Sequence, residues 1–181
     1  MSNPATAAGE FWSFSLAFYY RPKVAAALLA LQDEAACNVN LVLFSVWLGL
    51  SGRGRLDKPG IEAAERAVRS LEIEVIEPLR ALRRRLRTAP DPDLQNLRES
   101  IKTIEIEAEK AAQARLAALA GSRSDPDPAT RLSEAEANLA LYLGTAAASG
   151  PQAALIRGEV RRSREDGSPT PPPRRGARPS A

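Results

Sequence analysis

The segment LVLFSVWLGL, residues 41–50, has Ser45 as its only polar side chain. Asn40 before it is a residue type that caps helix N-termini, and Ser51-Gly52 after it is a typical helix end. A helix that is apolar on every side belongs in the middle of a protein core. The segment is also far shorter than the roughly 20 residues that a membrane span needs. It therefore predicts a buried central helix in a soluble protein.

Aromatic residues are concentrated around this segment, and we call them the aromatic module. Its members are Phe11, Trp12, Phe14, Phe18, Tyr19, Tyr20, Phe44 and Trp47. Two helices are predicted before the central one, at residues 10–20 and 22–36, with Pro22 as the first residue of the second. Such a concentration favours a core, because the rest of the chain offers mainly alanine and leucine. The alternative is a ligand pocket or a protein-binding groove, with Trp12 and one of the two adjacent tyrosines at its rim.

Two apolar seams follow, and they predict a long antiparallel helical hairpin over residues 61–120. In both seams apolar residues recur at steps of three and four, which is typical of helices that pack against each other. The connection Thr88–Asp91 is too short for any arrangement but an antiparallel one. Asp91 and Pro92 are predicted to be the N-cap and the first residue of the second helix. Pro78 predicts a kink near residues 74–77, since proline removes a backbone hydrogen bond.

The remaining chain predicts two shorter helices and a tail. Asp127-Pro128 repeats the helix-start signal, and Ser149-Gly150-Pro151 separates this helix from a weaker one. Residues 165–181 are rich in proline and arginine and lack a hydrophobic residue larger than alanine, which is typical of disorder. No segment alternates as a strand does. The sequence therefore predicts an all-α fold: a helical core domain at 10–121, an additional helical hairpin packed on or beside it at 122–164, and a disordered basic tail at 165–181.

Composition excludes several kinds of chemistry. The chain contains no histidine and one cysteine, Cys37, which we interpret as an inert buried thiol. Histidine-based catalytic triads, histidine zinc sites, disulfide frameworks and Cys-x-x-Cys motifs are thereby excluded. We expect no cofactor and no metal site, and the sequence favours a protein that is not an enzyme. An enzyme that uses only carboxylates, arginine, tyrosine or serine stays open as an alternative.

A stripe of four arginines lies in the first arm of the hairpin. Arg80, Arg83, Arg84 and Arg87 are spaced so that they share one helix face. Guanidinium groups at this spacing can bind phosphates or an acidic partner. The favoured interpretation is that they are solvated and pair with nearby acidic residues of the second arm. The hairpin is expected to bring Arg80 and Arg83 near Asp91, Asp93 and Glu99.

The second arm also carries paired carboxylates. Glu105 and Glu109 are four residues apart on one face of the predicted helix. Two carboxylates at this spacing can bind a divalent cation or act in acid–base catalysis. With Lys102 and Lys110 interleaved, the sequence favours an exposed, salt-bridged surface instead.

Four blocks together resemble a known family. They are FWSFSLAFY at 11–19, LQDEAACNVNLVLF at 31–44, EVIEPLRALRRRLR at 74–87 and IEIEAEK at 104–110. In this combination the chain resembles a family of small bacterial proteins treated as a domain of unknown function, over roughly residues 10–120. The resemblance implies a helical domain, and it carries over no catalytic or binding residue.

The sequence thus favours a non-enzymatic, cytoplasmic protein-interaction or regulatory protein. We expect a protein partner to bind a groove between the aromatic module and the hairpin. The candidate partner-binding residues are Trp12, Tyr19, Tyr20, Arg80, Arg83, Arg84 and Arg87. A homodimer is a further expectation, because the two seams can be longer than one domain covers, and no membrane association is expected. The alternative function is nucleic-acid binding by the Arg80–Arg87 stripe and the basic C-terminal segment, although the body before residue 157 is nearly neutral.

Overall fold

The computed structural model describes residues 4–165, and within that range it contains helices and no strand. The all-α prediction is therefore confirmed. The helices are α1 Pro4–Tyr19, α2 Val24–Ala35, α3 Val39–Leu50, α4 Lys58–Leu71, α5 Glu77–Arg85, α6 Pro92–Ala118, α7 Pro128–Ala148 and α8 Pro151–Glu165. A π-helical turn, Glu72–Ile76, joins α4 to α5, and a short 3-10 turn, Leu86–Thr88, follows α5. Helix α7 is interrupted at Gly144, whose φ of 67° is not helical.

The predicted basic tail at 165–181 lies outside the described residues except for Glu165, at which α8 ends. Among the helices of residues 4–165, none combines the length and the apolar character required to cross a membrane.

Helix α3 lies at the centre of the core, as its composition predicts. Every residue from Asn40 through Gly49 is buried. Phe11 of α1 stacks on Trp47 with ring centroids 4.9 Å apart and meets Phe44 edge-on at 5.7 Å. Four of the eight members of the aromatic module are buried in the core, namely Phe11, Phe18, Phe44 and Trp47.

The cap of α3 differs from the sequence prediction. Asn38, not Asn40, is the N-cap, and its Oδ1 accepts hydrogen bonds from the backbone N–H groups of Asn40 (2.9 Å) and Leu41 (3.3 Å). The Asn40 side chain is instead buried and accepts a hydrogen bond from Gln113 Nε2 of α6 at 2.9 Å. Asparagine is a residue type that caps helices, so Asn38 and Asn40 are equally good candidates by composition. Because the Asn40 side chain bonds Gln113 of α6, Asn38 is the residue that caps α3.

The principal neighbour of α3 is α7, which the sequence analysis assigned to the additional hairpin at 122–164. Ala135 and Leu139 of α7 are fully buried against the core. Gly49 of α3 allows a close crossing, because its missing Cβ leaves room for the backbone of Ala135. Helix α8 then packs on α2 and α7. The division of the chain at residue 121 stays a prediction.

The hairpin forms as predicted from α4, α5 and α6. Asp91 caps α6 by accepting a hydrogen bond from the Asp93 backbone N–H at 2.8 Å. The structure accommodates Pro78 through the π-helical turn, in which the Glu77 N–H bonds to the Glu72 carbonyl. Pro78 has no backbone N–H to donate, and the wider π-helical turn accommodates this at the position where the sequence predicts a kink.

The first two helices differ from their predicted bounds. Helix α1 begins at Pro4 rather than residue 10, and α2 begins at Val24 rather than Pro22. Lys23 adopts a left-handed conformation with φ of 66°, and the Val24 N–H donates to the Arg21 carbonyl at 3.2 Å. This tight turn redirects the chain so that Val24 enters the core, and proline therefore lies in the turn rather than in the helix.

Candidate binding cleft

A cleft of about 290 Å³ lies between α1 and α2 on one side and α5 and α6 on the other. Helix α3 closes its inner end with Asn40 and Leu43. Five of the seven partner-binding residues predicted from the sequence line it. These five are Trp12, Tyr19, Tyr20, Arg80 and Arg83. The structure thus brings three residues of the aromatic module and two arginines of the stripe together across one cavity.

The other two predicted residues lie elsewhere. Arg84 forms an exposed ion pair with Asp33 of α2 at 3.3 Å, and Arg87 is exposed in the 3-10 turn. Neither lines the cleft.

The floor of the cleft is one face of α6. Glu105, Glu109 and Gln113 follow each other at four-residue steps and therefore point in the same direction. Glu105 is only 4% exposed. Arg83 binds both of its oxygens, through Nε to Oε2 at 2.5 Å and through Nη2 to Oε1 at 3.2 Å. This bidentate geometry holds the carboxylate rigidly.

Arg80 connects three carboxylates. Its Nε lies 3.2 Å from Glu105 Oε1 and its Nη2 lies 3.1 Å from Glu109 Oε1. Its Nη1 lies 3.5 Å from Glu72 Oε1, which the π-helical turn supplies. Each of the three guanidinium nitrogens of Arg80 therefore contacts a carboxylate of the same chain.

Two sequence interpretations of these residues are wrong in detail. Arg80 and Arg83 form ion pairs with Glu72, Glu105 and Glu109 rather than with Asp91, Asp93 and Glu99. Glu105 is buried, whereas the sequence analysis placed it on an exposed surface beside Lys102 and Lys110. The 3-10 turn and the extended residue Ala89 lengthen the connection, so that α5 pairs with α6 further from the turn than expected.

The negative charge of Glu109 is only partly balanced by the positive charge of Arg80. Burial raises the pKa of its carboxyl group, and the charges of Glu105 and Glu72 raise it further against the opposing effect of Arg80. The folded protein therefore binds a proton at Glu109 more tightly than the unfolded chain does. Its charged form costs stability that is regained as pH falls.

This shift gives a pH-dependent prediction. Glu109→Gln is expected to raise the thermal midpoint at pH 7, and the gain should shrink as pH falls to 5, because wild-type Glu109 then takes up its proton. Thermal unfolding at both pH values measures the difference. Glu107→Gln on the exposed face of α6 is the matched control and should show no pH-dependent gain. A gain for Glu109→Gln that is equal at both pH values, or larger at pH 5, would contradict the assignment.

The opposite wall is aromatic. Tyr20 is 61% exposed, while Tyr19 is half-buried, and their rings meet edge-on at 6.0 Å. Burial raises the pKa of Tyr19, with a further contribution from Glu109. Lys110 Nζ lies 6.0 Å from the centroid of the Trp12 ring. The pattern expected from adjacent tyrosines, one exposed and one covered, is therefore observed.

Two buried polar atoms that no described group satisfies lie on residues lining this cleft. They are Ser15 Oγ of α1 and Gln113 Oε1 of α6. Both residues are at least 97% buried, being 3% exposed each. An unpaired buried polar atom costs about 1–3 kcal/mol, so each one calls for an explanation, and a group that binds there is one such explanation. Sequence reasoning missed Ser15, Asn40 and Gln113, although the spacing of Gln113 from Glu105 and Glu109 was a usable signal.

A larger open groove, about 820 Å³, runs along the other side of α1. Phe14, Phe18 and Leu50 line it together with arginines such as Arg131, which pairs with Asp125. None of the unsatisfied buried polar atoms of residues 4–165 lies on a residue that lines this groove. The smaller cleft is therefore the better candidate for a built site.

The loop Ser51–Arg55, with its Gly-x-Gly, has a structural role. Arg53 extends from it over the Trp47 ring, 5.0 Å from the centroid, and bonds Glu10 and the Gly121 carbonyl at 2.9 Å each.

Within residues 4–165, no three histidine, cysteine, aspartate or glutamate side chains form a group that could hold a metal ion.

Comparison with known proteins identifies a family without assigning a function. Residues 10–116 match the model of the family described as "Protein of unknown function (DUF2390)". The match includes every residue that lines the cleft, from Trp12 to Gln113, and leaves out α7 and α8. Searches of curated proteins and of solved structures returned no match. Since the match spans more than half of the chain, this protein belongs to the DUF2390 family of unknown function.

Proposed function

We propose that the protein is a non-enzymatic interaction protein of the cytoplasm that binds a partner protein at the cleft. The observation that carries the proposal is the pair of unsatisfied buried atoms, Ser15 Oγ and Gln113 Oε1, on the cleft lining. A partner side chain that enters the cleft would satisfy them and recover the free energy they cost.

The rim of the cleft supports a protein as the partner. Tyr20, Leu29 and Ile106 surround the opening and are 61%, 41% and 43% exposed. A cavity that holds a few polar groups in a mainly apolar lining, with exposed apolar side chains around its opening, resembles the anatomy of a protein interface, in which buried anchors are enclosed by contacts that exclude water.

The charged groups of the cleft support a role in binding rather than in catalysis. Arginine nitrogens hydrogen-bond both oxygens of Glu105 and one oxygen of Glu109. Glu105, which is held through both oxygens, acts as a fixed charge, whereas a general base needs an oxygen that can reach a substrate proton.

A matched pair of variants tests the proposal. The double variant Tyr20→Ala with Ile106→Ala truncates two of the three rim side chains. As the control, Leu141→Ala truncates a side chain of α7 that is 44% exposed. In affinity capture from a nuclease-treated lysate at about 0.3 M salt, where exposed charges are screened, wild type and Leu141→Ala should retain the same protein. The double variant should lose it, and titration with the purified partner should show at least about tenfold weaker binding.

Other outcomes assign other functions. Equal retention by the double variant would overturn binding at the cleft. In a parallel capture from lysate without nuclease, nucleic acid recovered at modest salt, together with proteins that are lost once nuclease is added, would favour the alternative in which exposed arginines such as Arg84 and Arg87 bind phosphates. Sedimentation would detect a second copy of the chain as the partner, for which Leu82, Leu97 and Ile104 offer exposed apolar surface on the hairpin.

A further inference from the structure

We propose that a second copy of the chain covers the outer face of the helical hairpin, so that two hairpins form an antiparallel four-helix bundle. The outer face is the side of α5 and α6 that carries Leu82, Leu97 and Ile104. The inference goes beyond the proposed function, because this face is separate from the cleft. Three features carry it: the distance of the hairpin from the core, the places of its apolar residues, and the charges along its edges.

The outer part of the hairpin, residues 77–104, lies outside the core. None of its residues is buried, and none belongs to the core or to the partly buried hydrophobic residues that pack against it. Helix α5 packs mainly on α6 and on the two turns at its own ends. This stretch nevertheless contains five leucines and two isoleucines. Helices with an apolar stripe become stable when further helices cover that stripe.

The apolar residues of the hairpin follow a heptad repeat, in which positions a and d form the seam between helices. The a positions are half-buried, and they are Leu79, Leu86, Leu94 and Ile101. The d positions are Leu82, Leu97 and Ile104, which are 40%, 54% and 50% exposed. A four-helix bundle buries both sets of positions. The hairpin therefore has the pattern of one half of such a bundle.

The exposed d residues lie on one side of the hairpin. Arg83 of α5 and Glu105 of α6 contact each other between the arms, and Leu82 and Ile104 each precede one member of this pair. One residue corresponds to about 100° of rotation around a helix, and in antiparallel helices equal rotations lead to the same side. Leu97 precedes Ile104 by one heptad and therefore shares its face.

The cleft lies on the opposite side of the hairpin. Arg84 and Ile106 each follow the contacting pair by one residue, which is the opposite rotation. Ile106 lines the cleft, and Arg84 pairs with Asp33 of α2 on the far wall. None of the three d residues lines the cleft. A second copy on the outer face would therefore leave the cleft open.

The two edges of the outer face carry opposite charges. Arg85 lies on the α5 edge, three residues after Leu82. Asp93 and Glu107 lie on the α6 edge, three or four residues from the exposed apolar residues of that arm. All three charged residues are exposed, and among residues 4–165 none of them forms an ion pair. Charges that flank an apolar seam in this way set partner choice and orientation in helical bundles.

This charge pattern is self-complementary and favours a second copy as the occupant. With a two-fold axis parallel to the helices, α5 of each copy lies over α6 of the other, and each basic edge meets an acidic edge. A two-fold axis across the hairpin would instead bring Arg85 next to its own copy. We therefore expect the parallel axis, in which all neighbouring helices are antiparallel.

Sedimentation of the full chain over a concentration series tests the dimer. We expect the mass to reach twice 19.5 kDa by about 100 μM. Leu97→Glu with Ile104→Glu should remain monomeric at the same concentration, because both carboxylates would be buried in the interface. The control, Leu119→Glu with Leu141→Glu, changes side chains that are 48% and 44% exposed elsewhere, and it should dimerise like wild type. Circular dichroism should show unchanged helix content in both variants, since all four positions are exposed.

A charge exchange tests the arrangement without changing an apolar residue. Arg85→Glu should weaken dimerisation by at least about tenfold, because both edges would then be acidic. Adding Asp93→Lys and Glu107→Lys should restore it, since the two edges are again opposite in charge. Arg123→Glu, at an exposed loop position, is the control and should leave dimerisation unchanged.

Three outcomes would overturn the inference. The first is a wild-type chain that stays monomeric at about 100 μM, including one that captures a different protein through Leu97 and Ile104. The second is a dimer that survives the Leu97→Glu and Ile104→Glu changes, and the third is an exchange that does not restore dimerisation. The rim variant of the cleft, Tyr20→Ala with Ile106→Ala, should still dimerise, so the inference and the proposed function fail separately.

Discussion

Replacing Gly49 with alanine is expected to lower the free energy of unfolding by more than about 3 kcal/mol. A Cβ at this position would overlap the backbone N and Cα of Ala135 and would lie 2.7 Å from the Glu134 carbonyl carbon. Backbone atoms cannot rotate away as a side chain can. Helices α3 and α7 would have to separate along their whole interface, and α3 is the centre of the core.

Denaturant unfolding of Gly49→Ala, followed by circular dichroism, measures this effect. Gly9→Ala in α1 is the control, because its Cβ meets nothing within 4 Å. That substitution should stabilise the protein by up to about 1 kcal/mol through helix propensity. Adding Ala135→Gly should not rescue Gly49→Ala, since the overlap is with the backbone of Ala135. A loss below about 1 kcal/mol for Gly49→Ala would contradict the close crossing.

Asn138→Ala should produce the second large effect, a loss of about 2–4 kcal/mol. The Asn138 side chain is fully buried, and its Oδ1 accepts a hydrogen bond from the Leu56 N–H at 2.7 Å. Its Nδ2 donates to the carbonyls of Ser45 (3.2 Å) and Gly54 (3.1 Å). One amide thereby ties α7 to α3 and to the loop before α4. Alanine would leave these backbone groups, one buried and two partly buried, without the Asn138 partner.

Equilibrium unfolding and hydrogen exchange together check this prediction. The Leu56 amide should lose protection in Asn138→Ala, because its acceptor is gone. Asn96→Ala, at an exposed position of α6, is the matched control and should change stability by less than about 0.5 kcal/mol. Similar stability of the two variants would show that Asn138 does not hold the loop.

Local structure was predictable from local patterns. The apolar run at 41–50 indicated the buried helix, and the aspartates at 91 and 127 marked the starts of α6 and α7, where both act as N-caps. Even the effect of Pro78 was placed within a few residues, although its form is a π-helical turn. Each of these features depends on residues within one or two helical turns, so a single sequence contains the information.

The candidate site was predictable in its parts but not in its arrangement. Trp12, Tyr19 and the arginine stripe were recognisable by residue type and spacing. The burial of Glu105 depends on the register of α5 against α6, and a spacing rule within one helix cannot supply that register. Gln113 became part of the site only because Asn40, 73 residues earlier in the chain, orients its amide.

The sequence by itself determined that this protein is helical, where most helices begin, and which helix is central, because propensity, capping and hydrophobic periodicity act over short stretches of chain. Tertiary structure alone decided that α7 covers α3, that arginine pairing buries Glu105, and that a cleft with unsatisfied polar atoms opens beside the aromatic wall. These features arise from the fit of surfaces distant in sequence, such as Gly49 against Ala135. Such complementarity depends on shape and on hydrogen-bond partners, and no periodicity of the chain encodes it.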